Sequence, residues 1–287
     1  MAEGLPTAET PLRDARRALV AQLDHAVAGL EVPRRSSIHE IRKSLKRARA
    51  ALRLLRECHG EAVYRRENSL LRAAARPLTP VRDAEVLYET LRRHDPKKGT
   101  AYPGTFIRRF YRVLGERRRA AKLGLRARDL ARIAAGLRAL KRRAAALPDA
   151  RLAQTPAGAS LKRAYKSARK AFARARRQKT DERLHKWRKQ TQYFANEIEI
   201  VLGLLPKRFA KSHKRAQKLA QQLGDDHDLA LLTEEVFRHA KGAQAPSHDD
   251  AVQEFLGHLA GRRKALQRKA FRLGRRLYSS KARRYEL

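Results

Sequence analysis

Ile38, Ile41, Leu45, Ala48, Leu52 and Leu55 recur at alternating intervals of three and four, and 146 residues later Leu184, Trp187, Thr191, Phe194, Ile198 and Val201 repeat the interval. Residues so spaced line one stripe of an α-helix, because its period is 3.6. Each segment must therefore form a helix that buries a single face. Beside the first stripe run His39, Arg42, Lys43, Lys46, Arg49 and Arg53, and beside the second His185, Arg188 and Lys189 fall where His39, Arg42 and Lys43 stand. A further block, Leu78, Arg82, Asp83, Val86 and Leu87, matches Leu223, His227, Asp228, Leu231 and Leu232 at an offset of 145. Two matched blocks in one order and at one spacing imply an internal duplication, with residues 1–148 and 149–287 as its halves and the join near Pro148.

The period far exceeds the roughly 20–50 residues of a solenoid repeat. Short connections favour antiparallel up-and-down packing, so the expected fold is all-α, with two antiparallel helical bundles from the duplicated halves. Prolines fall mostly between stretches of helical period. The spacing predicts helices at 9–30, 37–58, 62–76, 80–94, 105–126, 128–146, 158–178, 181–204, 207–223, 226–241 and 248–278. Ser37 followed by Glu40 reads as a capping box that starts the second of these. No alternating β-branched run competes with this pattern.

The charge is the other constraint. With 68 Lys+Arg against 29 Asp+Glu, the 287-residue chain carries a formal net charge of +39, while 42% apolar residues suffice for a packed core. Between Arg42 and Arg56, six like-charge pairs stand three or four residues apart: Arg42–Lys46, Lys43–Lys46, Lys43–Arg47, Lys46–Arg49, Arg49–Arg53 and Arg53–Arg56. At about 0.2–0.5 kcal/mol each they oppose the helix by roughly 1–3 kcal/mol. Mixed signs would serve solubility better, so the face is read as a binding surface for a polyanion. Further basic faces include Arg13 and Arg17, Lys162 and Lys166, and Lys214 and Lys218. Phosphate oxygens suit both the planar fork of Arg and the point charge of Lys.

His39 and His185 stand at duplicated positions, each followed by Arg and Lys on one face, and are read as anion contacts whose pKa a bound phosphate raises. His227 admits both that reading and a structural one. Asp83 and Asp228 are expected to orient basic neighbours. Asp225-Asp226-His227-Asp228 reads as a helix start, its carboxylates at the positive end of the dipole. Cys58, the lone cysteine, ends an apolar stripe and is read as structural. No phosphate loop, H-E-x-x-H pair or G-x-S-x-G elbow occurs, so neither catalytic residues, a metal site nor a cofactor is expected. The opening Met1-Ala2-Glu3-Gly4-Leu5-Pro6 lacks signal-peptide character and no 18-residue uncharged run exists, so a cytoplasmic location without membrane insertion is expected. Nucleic acid, as an alternative ligand, would bind weakly and without sequence preference, since base readout needs polar helix tips or exposed aromatics and only 6% of residues are aromatic.

His39-x-x-Arg42-Lys43-x-x-Lys46-Arg47-x-Arg49 resembles the H-x-x-R-[VK]-x-x-[KR]-R-x-R motif of the CHAD family, the conserved-histidine α-helical domain. Arg82-Asp83 after Leu78, His185-x-Trp187-Arg188-Lys189, and Leu223-Gly224-Asp225-Asp226-His227-Asp228-Leu229 are similar to its other motifs, in the family's order. The resemblance implies a pair of pseudo-symmetric antiparallel four-helix bundles whose basic faces form a central groove or channel for inorganic polyphosphate, and an association with polyphosphate granules. It also implies contacts by His39, Arg42, Lys43, Lys46, Arg47 and Arg49 in the first half, and by His185, Arg188, Lys189 and His227 in the second. Gln192, Tyr193 and Ala195 stand where basic residues usually continue, so the first half is expected to dominate. Such modules often accompany a triphosphatase domain with an E-x-E-x-K motif. Glu197-Ile198-Glu199-Ile200-Val201 is the nearest match, and it lacks the lysine.

Overall fold

A computed structural model describes residues 10–32, 38–95, 104–155, 158–242 and 250–279, and every regular element among them is helical. The elements are α1 (Pro11–Glu31), α2 (Ile38–Leu54), α3 (Arg56–His59), α4 (Glu61–Ala75), α5 (Thr79–His94), α6 (Gly104–Leu123), α7 (Ala127–Ala145), α8 (Asp149–Gln154), α9 (Gly158–Arg177), α10 (Asp181–Val201), α11 (Arg208–Gly242) and α12 (Asp250–Leu277). Local chemistry sets several boundaries. Thr10 and Thr180 accept hydrogen bonds from the Arg13 and Arg183 amides, capping α1 and α10. Gly60 turns the chain between α3 and α4 at φ 76°, a left-handed conformation that disfavours any side chain. The capping-box residue Ser37 lies outside the described residues.

The chain departs from the sequence expectation at three places. The helix expected over 37–58 breaks at Leu55 into α2 and α3, and the short α8 was not anticipated. The break expected between 223 and 226 does not occur: α11 runs unbroken for 35 residues. Asp225, Asp226 and Asp228 are therefore interior to a helix and do not start one. Tertiary bonds hold Asp226 there, because Arg263 and Gln267 on α12 donate to its carboxylate at 3.2 and 3.0 Å. In the first half the equivalent helix is interrupted between α4 and α5 at Pro77, which α11 lacks.

Helix α1 packs against α2 and α7, and α4 against both α2 and α7, closing a four-helix ring within the first half. In the second half α10 packs between α9 and α11, with α12 along α11. Two apolar cores result. The larger joins α1, α2, α4 and α7 to α9, α10, the start of α11 and the end of α12. The smaller is built by Leu87, Leu91, Ile107, Phe110 and Leu114 of α5 and α6 with Leu229, Leu232, Val236, Phe255 and Leu259 of α11 and α12. Both cores draw residues from both halves, so the apolar interior does not follow the sequence boundary near Pro148. Where the halves meet, α2, α5, α11 and α10 contact one another in turn around a central gap. Among the described residues no helix is long and apolar enough to cross a membrane.

Candidate functional site

The gap between those four helices is a cleft of about 430 Å³. Helix α2 lines it with His39, Arg42, Lys43, Lys46 and Arg47, and α5 adds Arg82. The opposite wall is neutral apart from one carboxylate: Gln192, Asn196 and Glu199 from α10, and Gln217 and Gln221 from α11. This geometry follows from the apolar stripes. Ile41, Leu45, Ala48 and Leu52 are buried on one side of α2, as are Trp187, Thr191, Phe194 and Ile198 on α10, so the adjoining polar sides turn toward the gap.

Lys46 is at the electrostatic centre. Its amine is open to the cleft yet flanked by protein, and burial, Arg188, Arg42 and Arg82 together push its pKa down to about 8, against the pull of Asp228. Lys46 and Arg82 belong to the first half, and Arg188 and Asp228 to the second. The duplication is visible in the side chains. Asp83 favours the charged form of Arg42, and its counterpart Asp228 favours that of Arg188. Likewise His39 lies near Arg82, while at the equivalent positions the His185 and His227 rings lie 4.6 Å apart. Burial and these cations lower all three histidines, His227 to about 4, so in the free protein they are neutral at physiological pH.

Arg42 Nε on the cleft wall and Arg188 Nε, which acts on Lys46 but like His185 and His227 does not line the cleft, are both buried without an acceptor among the described residues. The remaining Arg42 geometry is structural: its Nη1 donates to the Ala75 carbonyl and to Thr79 Oγ1 at 3.1 and 2.7 Å, bracing the α4–α5 junction. Arg47 bridges to Glu199 across the cleft at 2.6 Å, and Lys43 holds Glu40 at 3.3 Å. Both carboxylates of the E-x-E segment are engaged, since Glu197, 1% exposed, takes Arg53 at 2.6 Å.

Other anticipated contacts stand elsewhere. Arg49 turns away from the cleft, donating to Asn68 at 3.1 Å and lying over the Tyr193 ring. Arg13 reaches Asp149, and Arg17 pairs with Asp14 on α1. Lys162 and Lys166 on α9, and Lys214 and Lys218 on α11, do not line the cleft, nor does the exposed Lys189. The cleft's amide wall was not anticipated. The duplication carried its signal, because Gln192 is the 146-residue counterpart of Lys46 and the two line one cavity.

A family model described as the CHAD domain matches residues 12–237. No curated protein matches the chain. Among solved structures, the CHAD domain from the plant Ricinus communis shares 20% identity at a TM-score of 0.69, with 98% of this chain and 96% of that one covered. PptA from Streptomyces chartreusis shares 17% identity at a TM-score of 0.70, with 92% of this chain and 99% of that one covered. At such identities the likeness shows a common all-helical fold.

Proposed function

The chain belongs to the CHAD domain family, and from that premise we propose that it binds inorganic polyphosphate, without catalysis, in the cleft between α2, α5, α10 and α11. One observation carries this reading: burial, together with cations from both halves, lowers the pKa of Lys46 to about 8 on the cleft wall. A site that raises the energy of its own charges is relieved by a ligand bearing many negative ones. A phosphate polymer has a charge on every unit and no bases to be read. The cleft supplies donors to match, with cations along α2 and α5 and neutral amides opposite. Occupancy by such a polymer is the basis on which the protein associates with polyphosphate granules.

The first half contributes more than the second. Arg47 and Lys43 are already paired to Glu199 and Glu40 and are exchanged onto phosphate, whereas Lys46 and Arg82 face the ligand with least competition. Titration calorimetry with Lys43, Lys46 and Arg82 each replaced by Ala tests this. Tight binding of long polyphosphate is expected to weaken by at least about tenfold, from lost charge-assisted hydrogen bonds, with no fall in melting temperature. Equal affinity before and after substitution would overturn the assignment. Orthophosphate should bind far more weakly than long chains, because it occupies one position at a time.

A further inference from the structure

A second cationic surface lies apart from the cleft. The end of α9, the residues just after it and the C-terminal half of α12 enclose a groove of about 780 Å³, lined by Arg176, Lys179, Lys264, Arg268, Arg272 and Arg275. It shares no lining residue with the cleft. Helix α9 carries eight cations and no carboxylate in its 20 residues, and the span 261–277 of α12 again carries eight and none. Elsewhere the scarce carboxylates are spent on surface cations: Asp149 on Arg16, Asp24 on Lys141, Glu57 on Arg163. No cation lining the groove has a carboxylate within ion-pair distance among the described residues. Lys264, Arg268, Arg272 and Arg276 follow one another at intervals of four, the spacing at which like charges repel along a helix.

The groove walls are fixed from beneath. The Phe172 and Phe271 rings join α9 to α12 with centroids 6.3 Å apart, and Trp187 packs on Phe271 at 5.1 Å. Gly274 permits the approach, since a Cβ there would lie 2.7 Å from the Trp187 ring. Phe271 forms the floor, is 8% exposed, and lies under Lys179 at 5.5 Å. No aromatic face is thus offered to a base, which favours a ligand recognised by phosphate charge alone.

We propose that the α9–α12 groove is a second polyphosphate site, which makes the protein bivalent toward one long chain or a bridge between two. The choice of polymer rests on the reading of the cleft, but the groove's existence as an anion site does not. Calorimetry with inorganic polyphosphate, short and long, separates the sites. In wild type, short chains should show a tight cleft component and a weaker groove component. Arg268→Ala, Arg272→Ala and Arg275→Ala together should remove the weaker component and leave the tight one unchanged. Because linked sites multiply their affinities, the same variant should bind long chains about a hundredfold more weakly. Replacing those three arginines by Lys should keep most of the binding. The proposal is overturned if the Ala variant binds short and long chains like wild type, if the Lys variant loses as much as the Ala variant, or if the Ala variant loses duplex DNA and keeps polyphosphate. Absence of both components in wild type would overturn the reading of the cleft as well.

Discussion

Lys46 and His227 act as opposite ends of one titration. A bound polyanion stabilises the charged form of each, raising its pKa above the free value, about 8 for Lys46 and about 4 for His227. Binding therefore takes up protons wherever the pH lies between free and bound values. Affinity should rise as pH falls below about 7 through the histidine range, stay level near pH 7–8, and decline above about 8 as free Lys46 loses its proton. Calorimetry across pH in buffers of different ionisation enthalpy reads that uptake, and a pH-independent affinity would contradict it. Stability follows the reverse sign in the free protein. His227 and His94 both sit near 4, below the 6.5 of an unfolded histidine, so their contribution is complete above pH 6.5 and is lost as pH falls toward 4. The melting temperature should drop between pH 7 and 5, and less so with polyphosphate present. Lys46→Ala should leave stability unchanged or raise it by about 1 kcal/mol through relieved repulsion. At this scale the sequence was informative about residue types but not about commitments. The position beside the apolar stripe put Arg42 on the cleft side, yet nothing local announced that Ala75 and Thr79, over thirty residues onward, would claim its Nη1.

Among elements, α2 and α10 were readable because an apolar stripe of fixed period states which face is inside. The residues the period marks, Ile41, Leu45, Trp187 and Phe194 among them, are all buried, although Ala50, Ala51, Leu54, Ala195, Asn196 and Glu197 are buried beyond the stripes. α11 was not readable, because Gly224 and three nearby aspartates argue locally for a boundary. The tertiary bonds from Arg263 and Gln267 override that preference. Removing Arg263 should therefore strain α11 at its middle, visible as faster amide exchange around Asp226 than elsewhere in the helix. Two further changes probe how α9, α10, α12 and α2 hold together. Gly274→Ala inserts a methyl group against Trp187 and Phe172, and overpacking of this kind typically costs about 1–3 kcal/mol. Glu197→Ala leaves the Arg53 guanidinium, among the described residues, with the Tyr193 face at 3.9 Å and no carboxylate. Breaking such a buried pair costs about 3–5 kcal/mol. Thermal or urea denaturation checks both, and an unchanged midpoint would show that the contacts are dispensable.

For the molecule as a whole, the net charge of +39 is unevenly distributed: carboxylates pair with cations between helices, as in Arg16–Asp149, Lys141–Asp24 and Arg163–Glu57, while the cleft and the α9–α12 groove are lined by an excess of cations. A polyanion ligand implies steep salt dependence, with the slope of log affinity against log salt shrinking by about one for each contacting cation removed. The duplication was legible in the sequence, but the manner in which its halves join was not. Each half places a histidine, an arginine and an aspartate equivalently, and only the packing of α2 and α5 against α10 and α11 brings Arg188 and Asp228 of the second set within electrostatic reach of Lys46 in the cleft. That convergence is the central claim, and footprinting of Lys46 tests it most directly. With a pKa near 8 and an amine open to the cleft, Lys46 should react with an amine-selective reagent at pH 8 faster than ordinary surface lysines. Long polyphosphate should protect it, while the same concentration of phosphate units as orthophosphate should not. Lys46 reacting equally fast with polyphosphate bound would mean that the chain does not lie between the two halves.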